Sequence, residues 1–247
     1  MHTLVIVPTF NEAENIEPFL RAVRRYAPAA HVLVADDNSP DGTADVAEAV
    51  ASEVGHVKVL RRPSKDGLGA AYRAGFHVGL DEGYEALVQI DADLSHDPAV
   101  LPRLLDALER GADLAIGSRY VPGGSTPNWP LHRRVLSRSA NHFATTVLRL
   151  PIRDATSGFR AYTAASLRAI DYDTTESSGY AFLTELAYRI TAWGGTVEEI
   201  PIAFVDRSRG TSKMSSRIIA ESMVRVTRWG IGLQARRFRQ WLSGRTR

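Results

Sequence analysis

The sequence predicts an α/β fold built on a mostly parallel central sheet flanked by helices. Two observations predict it: short β-branched runs alternate strictly with amphipathic segments through the first half, and polar clusters recur directly after the strand runs. The runs LVIV (4–7), VLVA (32–35), VKVL (57–60), ALVQI (86–90) and DLAIGS (113–118) read as buried strands. Segments 14–26, 43–53, 68–82 and 98–110 separate them, each with helical spacing; Ile16, Phe19, Leu20 and Val23 show it in the first. Such alternation implies crossover connections and a sheet covered on both faces.

Past Ser118 the pattern changes. Residues 119–134 (RYVPGGSTPNWPLHRR) hold three prolines, two glycines and three arginines, which predicts a loop. Helices at about 131–148 and 180–193 follow, then a strand near 196–202. The basic stretch RSRGTSKM leads into a last helix from about Ser215. The simplest organisation is one domain over 1–214 with an amphipathic basic appendage over 215–247.

The composition, 44% hydrophobic and 23% charged, is that of an ordinary globular protein. The chain has no cysteine, which excludes disulfides, thiolate zinc sites and cysteine nucleophiles and fits a reducing, cytoplasmic setting. No run approaches the roughly 18–20 apolar residues of a membrane span, and the start of the chain has no secretory pattern. Net charge is +2 but uneven, with eleven Lys or Arg against the single acid Glu221 between Arg207 and Arg247. Such a tail suits an anionic partner: phosphate, nucleic acid or anionic lipid. A solvated basic helix is the plainer alternative.

In doubly wound sheets ligands gather beyond the carboxyl ends of strands. Three polar clusters fall there: Pro8-Thr9-Phe10-Asn11-Glu12, Asp36-Asp37-Asn38-Ser39 and Asp91-Ala92-Asp93. Asp91 and Asp93 flank a small residue. If the chain turns there, both carboxylates face one point and suit a hard cation, Mg²⁺ or Mn²⁺, that leaves sites open for a diphosphate. A capping or turn role is the alternative for this pair. Asp41 or Thr43 has a ready task capping the next helix, whereas Asp36 and Asp37 do not. Either of those two can accept from a nucleobase, two donors from guanine or one from uracil. Arg119, Arg133, Arg134 and Arg138 crowd the loop and helix start and form a candidate phosphate clamp, as do Arg207, Arg209 and Lys213 further on. Solvated surface charge is the alternative for both groups.

The blocks PTFNE, VADDNSPDGT, QIDADLSH, GSRYVPGG, RRVLSRSAN, DATSGFRAY and DRSRGTSKM follow one another over roughly 3–214. In that order they resemble family 2 glycosyltransferases of the GT-A (Rossmann-like) fold, and among these the dolichyl/polyprenyl-phosphate mannose synthases. The resemblance implies inverting transfer of mannose from GDP-mannose to a polyprenyl phosphate with Mg²⁺ or Mn²⁺; another donor such as UDP-glucose is the alternative. On matching positions it implies that Pro8, Thr9, Asn11, Glu12 and Asp36 or Asp37 contact the nucleoside. It implies that Asp91, Ala92 and Asp93 line the metal and diphosphate. Arg119, Arg133 and Ser137 would hold the acceptor phosphate, with Arg119 counted beside the two aspartates as catalytic, and Arg207 and Lys213 would close over the donor. Ser95 stands where many members have Gln. No C-terminal membrane helices match, which points to peripheral attachment on the cytoplasmic face, through the tail or a separate membrane-anchor protein. Nucleic acid is not an expected partner, since it gives the acidic strand ends no purpose. A dinucleotide-dependent oxidoreductase is disfavoured, because no GxGxxG follows the first strand.

Overall fold

A computed structural model of the chain describes residues 1–175, 177, 179–206 and 223–231. Arg207, Arg209, Lys213 and the start of the last helix at Ser215 lie outside the described residues. The strands are β1 (Thr3–Thr9), β2 (His31–Asp36), β3 (Val57–Arg61), β4 (Ala86–Gln89), β5 (Leu114–Ser118), β6 (Arg160–Thr163) and β7 (Val197–Pro201). The helices are α1 (Ala13–Tyr26), α2 (Thr43–Val54), α3 (Leu68–Asp81), α4 (Leu101–Glu109), α5 (Leu131–Leu148), α6 (Ala164–Ala169) and α7 (Gly179–Trp193), with a further helical stretch over 223–231.

The strands form one sheet in the order β3-β2-β1-β4-β6-β5-β7. β1 pairs in parallel with β2 and β4, β2 with β3, and β5 with β7, whereas β6 runs antiparallel between β4 and β5. The mostly parallel sheet therefore stands as expected. The central antiparallel strand is a correction, since no strand was read between 149 and 179. Its four residues, RAYT, are too short and too polar to announce a strand by periodicity.

Alternation along each strand feeds two cores. Val5, Val7, Val34 and Val88 pack with Ile16, Phe19, Leu20 and Leu104 on one face; Leu4, Ile6, Leu87 and Tyr162 pack with Tyr72, Phe76, Phe182 and Leu186 on the other. α3 lies close to the second face because Gly75 and Gly79 carry no side chain. A Cβ at Gly79 would sit 2.6 Å from Leu87 Cδ2, and one at Gly75 would overlap Ile6. That approach brings Tyr72 down onto the sheet.

Candidate active site

The carboxyl ends of β1, β2 and β4 meet as the alternating pattern requires. Each is followed by a loop that turns through a left-handed residue that is not glycine: Asn11 (φ 55°), Asn38 (φ 55°) and Leu94 (φ 58°). A β-carbon in that region costs on the order of 1 kcal/mol, and such positions concentrate at functional loops.

The first two loops are stitched together. Asp36 accepts from Thr9 Oγ1 at 2.8 Å and from the amide and hydroxyl of Ser39 at 2.8 and 2.6 Å. Ser39 Oγ accepts from the Asn11 amide, and Thr43 Oγ1 from the Glu12 amide. The Glu12 carboxylate accepts from Asn15. Asp37 pairs with Arg62, both nearly buried. Burial pushes the Asp37 carboxyl up, and the adjoining Arg62 cation offsets only part of that. Asp36 and Asp37 therefore both have local partners other than a helix terminus. Lys65 Nζ sits 4.0 Å above the Phe10 ring at the same end. Pro8 is half-buried at the end of β1.

After β4 the chain turns at once, so Asp91, Ala92 and Asp93 occupy a loop end as expected. Asp93 is buried and its Oδ1 accepts from the Ser95 amide at 3.0 Å; Ala92 is buried and Asp91 half-buried. The short Ser95 is itself buried, and its carbonyl accepts from the Val205 amide at 3.1 Å. His96 is buried against Phe159 and Phe204. Burial, with the Arg119 charge acting in the same direction, lowers its pKa to about 3, so its imidazole is neutral at physiological pH. Across the loop, a Cβ on Gly158 would lie 3.4 Å from Asp91 Oδ2 and 3.7 Å from His96 Nε2. Glycine there keeps a side chain from crowding Asp91 and His96. All-oxygen donors suit a hard divalent cation. No cluster of three or more His, Asp or Glu that could hold a metal occurs among the described residues, so a cation at Asp91 and Asp93 would complete its shell from diphosphate and water.

The arginines occupy a second group. Arg119 is buried and clamped by Asp154, which accepts from Nε at 2.8 Å, Nη2 at 2.7 Å and the backbone amide at 3.0 Å. Thr156 Oγ1 accepts a further bond from Nη2. The amides of Arg153 and Asp154 donate to Glu199 of β7, which fixes the loop that carries Asp154. Arg133 donates through Nη1 to both oxygens of Asp206 at 2.7 and 2.9 Å and stacks 4.0 Å over Trp129, whose Nε1 donates to the same carboxylate. Arg138 lies 5.8 Å from the Tyr120 ring, and Ser137 Oγ shares a 2.7 Å hydrogen bond with the Tyr120 hydroxyl. Arg119, Arg133, Arg138 and Ser137 thus gather around Trp129 and Tyr120. The segment after β7 ties this group to the aspartates: Ile202 donates to Ser118, Phe204 to Ser125 and Val205 to Ser95. Sequence reasoning passed over Asp154, Trp129, Asp206 and Arg62. Asp154 heads the block DATSGFRAY and Asp206 the block DRSRGTSKM, which were usable signals; Trp129 and Arg62 become visible only once distant loops meet.

Two curated relatives match nearly the whole chain. Undecaprenyl-phosphate mannosyltransferase of Micrococcus luteus is 49% identical over 241 residues, 96% of this chain and 99% of that protein. Polyprenol monophosphomannose synthase of Mycolicibacterium smegmatis is 50% identical over 230 residues, 93% of this chain and 87% of that one. Among solved structures, glucosyl-3-phosphoglycerate synthase of Mycobacterium tuberculosis in complex with phosphoglyceric acid superposes with a TM-score of 0.67 at 17% identity, over 92% of this chain and 80% of that one. That likeness places the sheet and its helices in the GT-A arrangement. The match to the family profile of Glycosyl transferase family 2 runs over residues 4–171, from the first strand through the antiparallel strand and α6, and the chain belongs to that family.

Proposed function

We propose that the protein transfers mannose, with inversion, from GDP-mannose to a polyprenyl phosphate. The observation that carries this reading is the near full-length identity to two proteins named for mannosyl transfer to such lipids. The chemistry of the site supports it. A phosphate monoester has its second pKa near 6, so the acceptor arrives charged and needs no strong general base. One acceptor oxygen bonds to the anomeric carbon as the bond to the diphosphate breaks, and the electron pair leaves with GDP. Asp91 and Asp93 would hold a Mg²⁺ or Mn²⁺ ion, which would supply charge stabilisation to that leaving group. Thr9, Asn11, Glu12 and the Asp36–Asp37 loop form the nucleoside end. Arg133, part-exposed beside Trp129, receives the acceptor phosphate with Ser137. Arg119, its charge balanced by Asp154, orients donors there. The test is product mass after incubation with a panel of nucleotide-sugars and short polyprenyl phosphates, with and without Mn²⁺. Product only from a uridine diphosphate sugar, or only on a non-lipid acceptor, overturns the reading.

Replacing Arg133 with alanine is expected to raise the acceptor KM about tenfold, the scale of one charge-assisted contact. Donor affinity, measured by titration calorimetry, stays near the wild-type value. Collapse of donor affinity instead would move Arg133 to the nucleotide.

The same helix supports a peripheral membrane setting. Leu131, Val135 and Leu136 of α5 are 73%, 55% and 56% exposed, beside the exposed Arg138, which is an apolar patch with a cation at its edge. Among the described residues no helix is long and apolar enough to cross a membrane. In the helical stretch over 223–231, Val226 and Trp229 pack on the protein's own core, while Met223 is exposed. Changing Leu131, Val135 and Leu136 together to serine is expected to reduce co-sedimentation with anionic vesicles several-fold, given about 25 cal/mol per Å² of apolar surface. Unchanged co-sedimentation assigns membrane binding to another surface.

A further inference from the structure

Arg119 and Arg133 both face the Trp129 ring, at 5.9 and 4.0 Å, but the protein grips them by different nitrogens. A guanidinium matches a carboxylate or phosphate best along the edge that carries Nε and Nη2, where two parallel bonds form. In Arg119 that edge is taken. Its Nε and Nη2 both donate to Asp154, and Nη2 donates to Thr156 as well. In Arg133 only Nη1 is gripped, donating to both oxygens of Asp206 at 2.7 and 2.9 Å. Among the described residues, neither Nε nor Nη2 of Arg133 has a hydrogen-bond partner.

Asp206 is suited to hold that posture. Its Oδ1 accepts from Arg133 Nη1 and, at 3.0 Å, from Trp129 Nε1, so one oxygen fixes both the guanidinium and the ring against it. Trp129 is buried and meets Phe204 edge to face at 5.5 Å. Between Phe204 and Asp206, the Val205 amide donates to the Ser95 carbonyl, and the Ser95 amide donates to Asp93. The direction of Arg133 is thereby tied to the turn that carries Asp91 and Asp93. Helix stability does not ask for this arginine. It lies in the first turn of α5, the end of a helix that disfavours cations, and no side chain caps that end. A free arginine loses rotamer freedom when it binds an anion, whereas one already clamped has little left to lose.

We propose that Asp206 is a positioning residue for the acceptor phosphate: with Trp129 it holds Arg133 by Nη1 and by its face, and so presents the Nε–Nη2 edge to two phosphate oxygens. Asp206 itself does not touch the phosphate. Its negative charge repels an arriving anion, so orientation has to outweigh that repulsion, and the two effects give opposite results on substitution. The inference rests on the reading that Arg133 receives the acceptor phosphate, and the two fail differently.

The experiment compares wild type, Asp206→Asn, Asp206→Ala, Arg133→Ala and the double variant Arg133→Ala with Asp206→Ala, all as full-length chains. Rates with GDP-mannose and a short polyprenyl phosphate give kcat and the acceptor KM, and inorganic phosphate serves as a competing probe. GDP affinity, measured by calorimetry, reports whether the rest of the site is intact. Asp206→Ala is expected to raise both the acceptor KM and the inhibition constant of phosphate about tenfold, the scale of one charge-assisted contact. GDP affinity stays near the wild-type value. Asp206→Asn keeps an Oδ1 that accepts from both Trp129 and Arg133, so it recovers most of the loss. With Arg133 already replaced, Asp206→Ala has no further effect on either constant, since no guanidinium is left to orient. Tighter phosphate binding in both Asp206 variants shows that repulsion outweighs orientation and overturns the proposal. A parallel fall in GDP affinity, or a loss of the same size without Arg133, makes Asp206 a general support of its segment and also overturns it. A loss in Arg133→Ala with none in Asp206→Ala overturns the role of Asp206 alone. An unchanged acceptor KM in Arg133→Ala overturns the acceptor assignment and the inference with it.

Discussion

Replacing Asp154 with alanine is expected to lower unfolding stability by about 3–5 kcal/mol, because it leaves a buried guanidinium without its counter-charge. In a chain of this size that corresponds to a fall of about 6–20 °C in Tm. Asp154 is fully buried, and Arg119 gives it two side-chain bonds and one from the backbone amide. The pair sits among Tyr120, Trp129 and Phe204, each ring within 6 Å of the guanidinium carbon, so water replaces neither partner cheaply. Removing both charges, as in Arg119→Met with Asp154→Leu, is expected to cost less than removing Asp154 alone. The pH dependence has a definite sign. Burial alone would raise the Asp154 carboxyl, but the Arg119 charge and hydrogen bonds outweigh it and hold the folded pKa below the ordinary 3.8. The contribution is therefore fully present above about pH 4, and it is lost as pH falls through the depressed value. Thermal melts of wild type and Asp154→Asn from pH 7 to pH 2.5 test this, and the gap between them should shrink at the acid end. A loss under 1 kcal/mol at neutral pH would show that the pair is solvated.

How much of this was legible beforehand differs between the two halves of the site. The strand ends carrying Thr9, Asp36 and Asp91 follow parallel crossover units, and a parallel sheet places all its carboxyl ends on one edge. Their convergence is a consequence of topology, so local patterns sufficed. The arginine group obeys no such rule. Arg133 meets Asp206 across 73 residues of sequence and Arg119 meets Asp154 across 35, through loops whose courses no periodicity encodes. Charge patterning singled out the arginines but not the carboxylates that hold them, since one Asp in a polar loop resembles another. The antiparallel β6 escaped for a related reason: Arg160 is a fully buried cation satisfied by backbone carbonyls, and a charged residue at a strand start argues against burial until those carbonyls are in view. Asp36 shows the opposite failure. Its partners Thr9 and Ser39 sit in quoted motifs, yet the hydrogen bonds between them depend on β1 and β2 being neighbours.

Changing Asp91 to asparagine is expected to lower kcat by about 10²–10³ while leaving the thermal midpoint nearly unchanged. The magnitude is that of removing one preorganised electrostatic contribution to a developing charge. The near-constant stability follows because Asp91 is half-buried beside a glycine and the replacement keeps its shape. Asp93→Asn should cost comparable activity with little change in stability, since the asparagine Oδ1 still accepts the Ser95 amide that shapes the turn through Leu94. The two substitutions separate departure from attack. If the aspartates serve the leaving diphosphate, raising Mn²⁺ recovers part of the rate in Asp91→Asn, and the acceptor KM hardly moves. The pH–rate profile should keep its ascending limb near pH 6 in both variant and wild type, because that limb belongs to the second ionisation of the acceptor phosphate. Were Asp91 instead the base that activates the nucleophile, the limb itself would vanish with the carboxylate and Mn²⁺ would recover nothing. A phosphate that arrives ionised leaves such a base no proton to take, which is why the carboxylates are assigned to the departing group.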